Sequence, residues 1–369
     1  MDFATLSERI ATGRIGRTLS RLVPATAIWE REWDVCCVLD GCRLDLMCET
    51  AAAGHEALPG PEAVDSLWSV GSQSAEWMDR TFAPAYREEM ARTAYVTGNP
   101  FSSQSCEHIL VTSDDVLPLT DADFGVFHEA WRDDWVDDDI STIPPDSLTD
   151  AAIAIWRRRE ELGIDRVLVH YMQPHAPFRS EPGWFFGAAD IEHWGQIDAG
   201  DEDAVDASAE EELDLEDLTP EEREALEAFA EADDDDDSMN DPWLRVRDGD
   251  LPFEAVWAAY RDNLEWVLDD VARLLENCDG RVAMTSDHGN ALGEYGVWSH
   301  PPGTPVPALR RVPWVVREGA DRGTCEPALP DAIREGGGTD DADASTGRGG
   351  DEPEEDDDVE SRLEALGYR

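Results

Sequence analysis

Arg281-Val282-Ala283-Met284-Thr285-Ser286-Asp287-His288-Gly289, continued by Glu294, Gly296 and Ser299-His300-Pro301, is the stretch that decides the fold. Residues 281–285 are a short apolar run between Asp279-Gly280 and a glycine-bearing exit. This is the pattern of a buried strand with polar residues at its carboxyl end, where ligands of open α/β sheets collect. The adjacent Asp287-His288 pair offers a carboxylate oxygen and an imidazole nitrogen to one divalent cation. His300 lies in a Gly/Pro-bounded loop that can fold back toward the same ion. Taken alone, Asp-His-Gly reads equally well as a turn with a capping Asp.

Two further segments repeat the pattern. The run Val35-Cys36-Cys37-Val38-Leu39 ends in Asp40-Gly41, the acid standing at a strand end and the glycine permitting a tight exit. The run Arg166-Val167-Leu168-Val169 delivers His170-Tyr171-Met172-Gln173-Pro174-His175-Ala176-Pro177-Phe178 to a loop stiffened by two prolines. Three strands ending in Asp, His and Asp-His point to one site. His170 is expected as a satisfied core histidine as readily as a ligand, because alternation at a strand end turns it away from its neighbour.

In these segments, Val38-Leu39-Asp40-Gly41-Cys42-Arg43-Leu44-Asp45, His170 through Pro177, and Thr285 through Gly289 to Gly293-Glu294-Tyr295-Gly296 and His300, the chain resembles the sulfatase-like branch of the alkaline phosphatase superfamily. Supporting matches are the helical stretch 260–275, residues 309–316 and the terminal 363–368. The resemblance implies an alkaline-phosphatase-like, doubly wound mixed α/β sheet flanked by helices. It also implies one or two divalent ions (Mn, Zn, Mg or Ca) and an alkoxide-type nucleophile one short connection after the first strand.

That connection is Ser69-Val70-Gly71-Ser72-Gln73-Ser74-Ala75-Glu76-Trp77-Met78. Ser74 is the first choice of nucleophile, since it directly precedes a helix-like segment whose amino terminus favours an anionic group. Ser72 is the second choice, and a plain helix cap is the bland alternative. The resemblance makes Asp40, Ser74, Asp287 and His288 the expected metal ligands. His175 and His300 either bind a second ion or act as general acid and anion contact. Arg43 either holds a substrate oxyanion or pairs with Asp45.

Departures narrow the chemistry. Formylglycine sulfatases place Cys or Ser two residues before Pro and four before Arg, a pattern missing around Ser72 and Ser74, so an aldehyde cofactor is not expected. The chain has no lysine, so sulfate-contacting lysines have no counterpart. The expected function is a metal-dependent hydrolase or transferase of phosphate or sulfate esters working through a serine nucleophile. The alternative is a catalytically degenerate relative that binds an anionic or glycan ligand without turnover. Expected partners are small-molecule, glycan or lipid esters.

With 84 acidic against 29 basic residues the net charge is -55, which repels nucleic acid and anionic membrane surfaces and excludes both as expected partners. Such self-repulsion calls for molar salt, and together with the missing lysines it reads as a halophilic, archaeal-type protein of a salt-filled cytoplasm. A disordered acidic chain is excluded by 41% hydrophobic residues and 14 tryptophans, which need a core. Seven cysteines, two of them adjacent in a strand, read as reduced thiols. The amino terminus has acids where a signal peptide wants bases, and nothing reaches membrane-spanning length. Residues 14–23 read as a helix packed on the domain.

One α/β domain is expected over residues 1–330, with a helical lead-in over 1–30, a strand at 109–112 and an acidic insertion over 198–241 containing a short helix from Leu218. A Gly/Asp/Glu-rich linker over 331–358 and a helix over 359–369 follow.

Overall fold

A computed structural model describes residues 23–103, 116–135, 142–181 and 241–330, together with 140, 184 and 333. The lead-in over 1–22, the expected strand at 109–112, the insertion up to residue 240, the linker and the final helix lie outside the described residues.

The strands are β1 (Val35–Leu39), β2 (Asp65–Trp68), β3 (Thr93–Thr97), β4 (Val126–Glu129), β5 (Arg166–Tyr171), β6 (Gly280–Thr285), β7 (Ala291–Leu292), β8 (Trp298–Ser299) and β9 (Arg311–Gly319). Seven of them form one mixed sheet in the order β2-β9-β6-β1-β5-β3-β4. β1 lies at its centre, parallel to β5 on one side and β6 on the other, and β9 runs antiparallel to β6 and β2. All five residues of β1 are buried, as expected of a strand covered on both faces. Each aliphatic side chain so buried contributes about 1.5–3 kcal/mol.

The principal helices are α1 (Leu44–Ala53), α2 (Ser74–Thr81), α3 (Pro145–Arg157), α4 (Pro242–Asp248) and α5 (Phe253–Leu275). α1 ends at Gly54, whose φ of 89° is the left-handed conformation glycine adopts without strain. α5 buries Val256, Tyr260, Asn263, Leu264, Val267, Leu268, Val271 and Leu274, the three-and-four spacing of one apolar stripe, and packs on α1, α3 and α4. α4 starts with Pro242 at its first position and is capped by Asp241, whose side chain accepts from the Trp243 and Leu244 amides. Asp241, counted with the insertion from sequence, therefore belongs to the core.

The period-two alternation of β5 assigns its two faces. The Tyr171 hydroxyl bonds Thr149 Oγ1 of α3 at 2.8 Å, whereas His170 turns to the opposite face and packs edge-on against Trp77 of α2. This is the mixed α/β sheet flanked by helices anticipated above. Cys36, Cys37, Cys42, Cys48, Cys278 and Cys325 are all unpaired thiols. Among the described residues no helix is long and apolar enough to cross a membrane.

Candidate active site

The carboxyl ends of β1, β5 and β6 carry Asp40, His170 and Asp287 to one buried point, where a ligand atom from each lies within 4.8 Å of the others. Gly41 turns the chain sharply after Asp40 at a φ of 64°. A Cβ there would sit 3.1 Å from Asn290 Nδ2, a tight contact on top of a left-handed conformation that favours glycine. The Gly41 and His288 amides both donate to Asp287 Oδ1, at 3.0 and 2.8 Å, which fixes that carboxylate and leaves Oδ2 facing inward.

His170 Nε2 stands 3.6 Å from Asp40 Oδ2 and 3.7 Å from Asp287 Oδ2, ion-pair distances too long for hydrogen bonds. Both His170 Nε2 and Asp287 Oδ2 are buried without a hydrogen-bond partner. Burial alone would lower the His170 pKa, but the Asp287 and Asp40 carboxylates raise it to about 9. Burial alone would likewise raise the Asp287 carboxyl. The His288 and His170 imidazoles and the Gly41 amide prevail and hold it well below the usual carboxylate range. An orphaned carboxylate oxygen facing an orphaned imidazole nitrogen is a donor set suited to a divalent cation.

Ser74 is the first residue of α2, and Gln73 holds the cap position, so the bland capping role for Ser74 is not the one observed. Ser74 Oγ lies 3.1 Å from Asp40 Oδ2 and 3.2 Å from His288 Nε2. His288 Nε2 is in turn 3.6 Å from Asp40 Oδ1 and 3.4 Å from Asp287 Oδ2. Asp40, Ser74, Asp287 and His288, read from sequence as one cluster, are thus brought together. His288 Nδ1 faces the Gly289 carbonyl at 2.9 Å and His175 Nδ1 faces the Ala176 carbonyl at 2.6 Å. A carbonyl only accepts, so both rings carry hydrogen on Nδ1.

The β7–β8 hairpin folds His300 back, as its Gly/Pro surroundings suggested. Its ring stacks on His288 with centroids 4.9 Å apart and meets His175 edge-on at 5.1 Å. Burial, with His288 and His175 close by, pushes the His300 pKa well below its ordinary value.

Two expected alternatives are placed elsewhere. Ser72 Oγ donates to Glu76 Oε2 at 2.8 Å and meets the Pro301 carbonyl and Thr304 amide at 3.0 Å each, which ties the turn before α2 to the loop after His300. The Arg43 guanidinium is held by both Asp45 oxygens, at 2.9 and 2.6 Å, by Glu294 at 2.9 Å and by the Asn290 carbonyl at 2.5 Å. This is the ion-pair arrangement, with its donors turned to protein acceptors.

Sequence reasoning assigned no role to Asn99, whose Nδ2 donates to Asp40 Oδ2 at 2.8 Å, and it left His170 undecided. Asn99 follows β3, the strand beside β5, so a strand-end signal existed in Tyr95-Val96-Thr97-Gly98-Asn99.

No family model matches the chain, and no curated protein does. Among solved structures it is similar to the lipooligosaccharide phosphoethanolamine transferase A (EptA) of Neisseria meningitidis, at 13% identity and a TM-score of 0.40, covering 84% of this chain. This chain spans only 50% of the length of that one. It is also similar to the periplasmic domain of EcEptC from Escherichia coli in complex with Zn, at 11% identity and a TM-score of 0.40, covering 79% of this chain and 75% of that one. The lipoteichoic acid synthase LtaP of Listeria monocytogenes gives 10% identity and a TM-score of 0.37, covering 85% and 72%.

Proposed function

We propose that the chain is a metal-dependent hydrolase or transferase of phosphate or sulfate esters in which Ser74 is the nucleophile. The observation that carries this reading is the position of Ser74 Oγ, at the head of α2 and within 3.2 Å of both a carboxylate oxygen and an imidazole nitrogen of the cation-binding cluster. Asp40, His170, Asp287 and His288 would hold the ion. Bound there, it would lower the pKa of a neighbouring hydroxyl and neutralise charge on the ester.

The protein's own groups do the rest. Asp40 Oδ2 is the acceptor placed to take the Ser74 hydroxyl proton, because His288 Nε2 would be committed to the ion, and Asn99 holds the Asp40 carboxylate in place. The amino terminus of α2 favours negative charge on Oγ. Attack forms a bond from Oγ to phosphorus or sulfur and breaks the ester bond to the leaving alcohol. Water or an acceptor alcohol then releases the seryl ester. The net charge of -55 and the missing lysines support a working environment of molar salt, and the unpaired thiols support a reducing, cytoplasmic one.

The test is turnover of aryl phosphate, phosphodiester and sulfate esters in molar KCl with and without Mn²⁺, Zn²⁺, Mg²⁺ and Ca²⁺, followed by mass spectrometry of quenched protein. The expected result is metal-stimulated turnover and a covalent adduct on the peptide containing Ser74. Ser74→Ala abolishes both while retaining weakened metal binding. Full activity of Ser74→Ala would overturn the nucleophile, and metal binding without turnover of any ester would favour a ligand-binding protein.

A further inference from the structure

We propose that Asn290 and Ser299 are positioning residues that lock His300 in the tautomer protonated on Nδ1. His300 then presents an unprotonated Nε2 beside His288 and His175. This rests on the reading of the same site given above, and it decides between the two roles that sequence left open for His300. An unprotonated Nε2 accepts a proton or a cation. It cannot donate to an anionic ester oxygen.

Asn290 is 1% exposed. Its Nδ2 donates to the Gly41 carbonyl at 3.0 Å, and that carbonyl also accepts from the Tyr260 hydroxyl. Turning the amide over would set two acceptor oxygens against each other, so Oδ1 is the atom that faces His300 Nδ1, at 3.1 Å. An amide oxygen only accepts, and the hydrogen therefore belongs to Nδ1.

Ser299 adds a second contact to the same atom. Ser299 Oγ also lies 3.1 Å from His300 Nδ1. The Nδ1 hydrogen that Asn290 requires finds a second acceptor in that oxygen. Ser299 adopts a φ of 59°, the left-handed region a non-glycine residue rarely occupies. Backbone strain of about 1–3 kcal/mol is retained where the surroundings over-determine it. Here the hairpin pairing of β7 with β8 and the His300 contact both fall on this one residue.

The result is a file of imidazoles with one polarity. His288 and His175 are protonated on Nδ1 by backbone carbonyls, and His300 by two side chains that no backbone geometry demands. Asn290 also reaches the Gly41 turn, so the group that orients His300 is fastened to the residue following Asp40.

Protein labelled with ¹⁵N in its histidine rings, in molar KCl without added metal, tests this by two-bond ¹H–¹⁵N correlation spectra. His300→Gln identifies the ring. The expected result is the Nδ1–H pattern for His300 in the unaltered protein, and partial or complete conversion to the Nε2–H pattern in Asn290→Ala with Ser299→Ala. Ser299→Ala alone, which keeps the Asn290 acceptor, retains the original pattern. A wild-type His300 ring protonated on Nε2 overturns the proposal without any variant being needed. In ester turnover the double variant is expected to lose at least ~10-fold in kcat with KM little changed. If no ester is turned over by the wild-type protein, the functional reading fails while the spectrum still decides the tautomer.

Discussion

Metal binding at this site should expel a proton from His170. The Asp287 and Asp40 carboxylates hold that imidazole at a pKa of about 9, so at pH 7 it carries the proton whose place the ion takes. Removing the proton two units below its pKa costs roughly 3 kcal/mol, at about 1.4 kcal/mol per unit. Apparent affinity for Zn²⁺ or Mn²⁺ should therefore rise about ten-fold per pH unit between pH 6.5 and 9 and then level off. Titration calorimetry at pH 7 in two buffers of different ionisation enthalpy counts the protons released, and about one is expected. His170→Asn should bind more weakly and release none. The metal-free protein follows the same linkage. A histidine with a raised folded pKa contributes stability that is complete below its unfolded value near 6.5 and is lost as pH rises through about 9. Chelator-treated protein should melt at a lower temperature at pH 9.5 than at pH 6.5. Wild-type binding with no proton release and an affinity flat from pH 6.5 to 9 would refute the reasoning.

Three other outcomes follow. Asp287→Asn keeps the shape but not the charge of the carboxylate that faces His170, and should lose most metal affinity and at least ~10-fold in activity, equivalent to ~1.4 kcal/mol; unchanged occupancy by elemental analysis would dismiss the site. Ser72→Ala removes a hydroxyl bonded to Glu76 and Thr304, so it should lower the melting temperature through a loss of about 1–3 kcal/mol while adduct formation at Ser74 persists; labelling lost in a folded variant would move the nucleophile to Ser72. The melting temperature should be markedly lower in 0.1 M than in 2 M KCl, since the reach of repulsion among 84 acidic side chains grows from under ~3 Å to ~10 Å as screening weakens; a flat response would remove the case for a salt-adapted protein.

Asp40, Asp287 and His288 were legible in sequence because an apolar run that stops at an acid leaves that acid at a sheet's functional edge. Ser74 was legible because small residues opening a helix set a hydroxyl at its amino terminus. His170 was not, because alternation says that a residue points to one face without saying which face holds the site. Asp40, Asp287 and Trp77, all far away in sequence, identify that face. Arg43 depended on Glu294, a partner no local pattern announces. Asn99 was hidden because its strand is marked less by an apolar run than by its pairing with β5 and β4.

The central place of β1 has a consequence for how the protein is made. It leaves the ribosome well before either partner and with both long edges open, since one flanking strand begins only at Arg166 and the other only at Gly280. Parallel partners so far along the chain must wait for nearly the whole domain, and such pairing is slow and exposed to misassociation. Asp40, His170 and Asp287 stand on the ends of the same three strands, so an ion held by all three would find its ligands together only after β6 has joined the sheet.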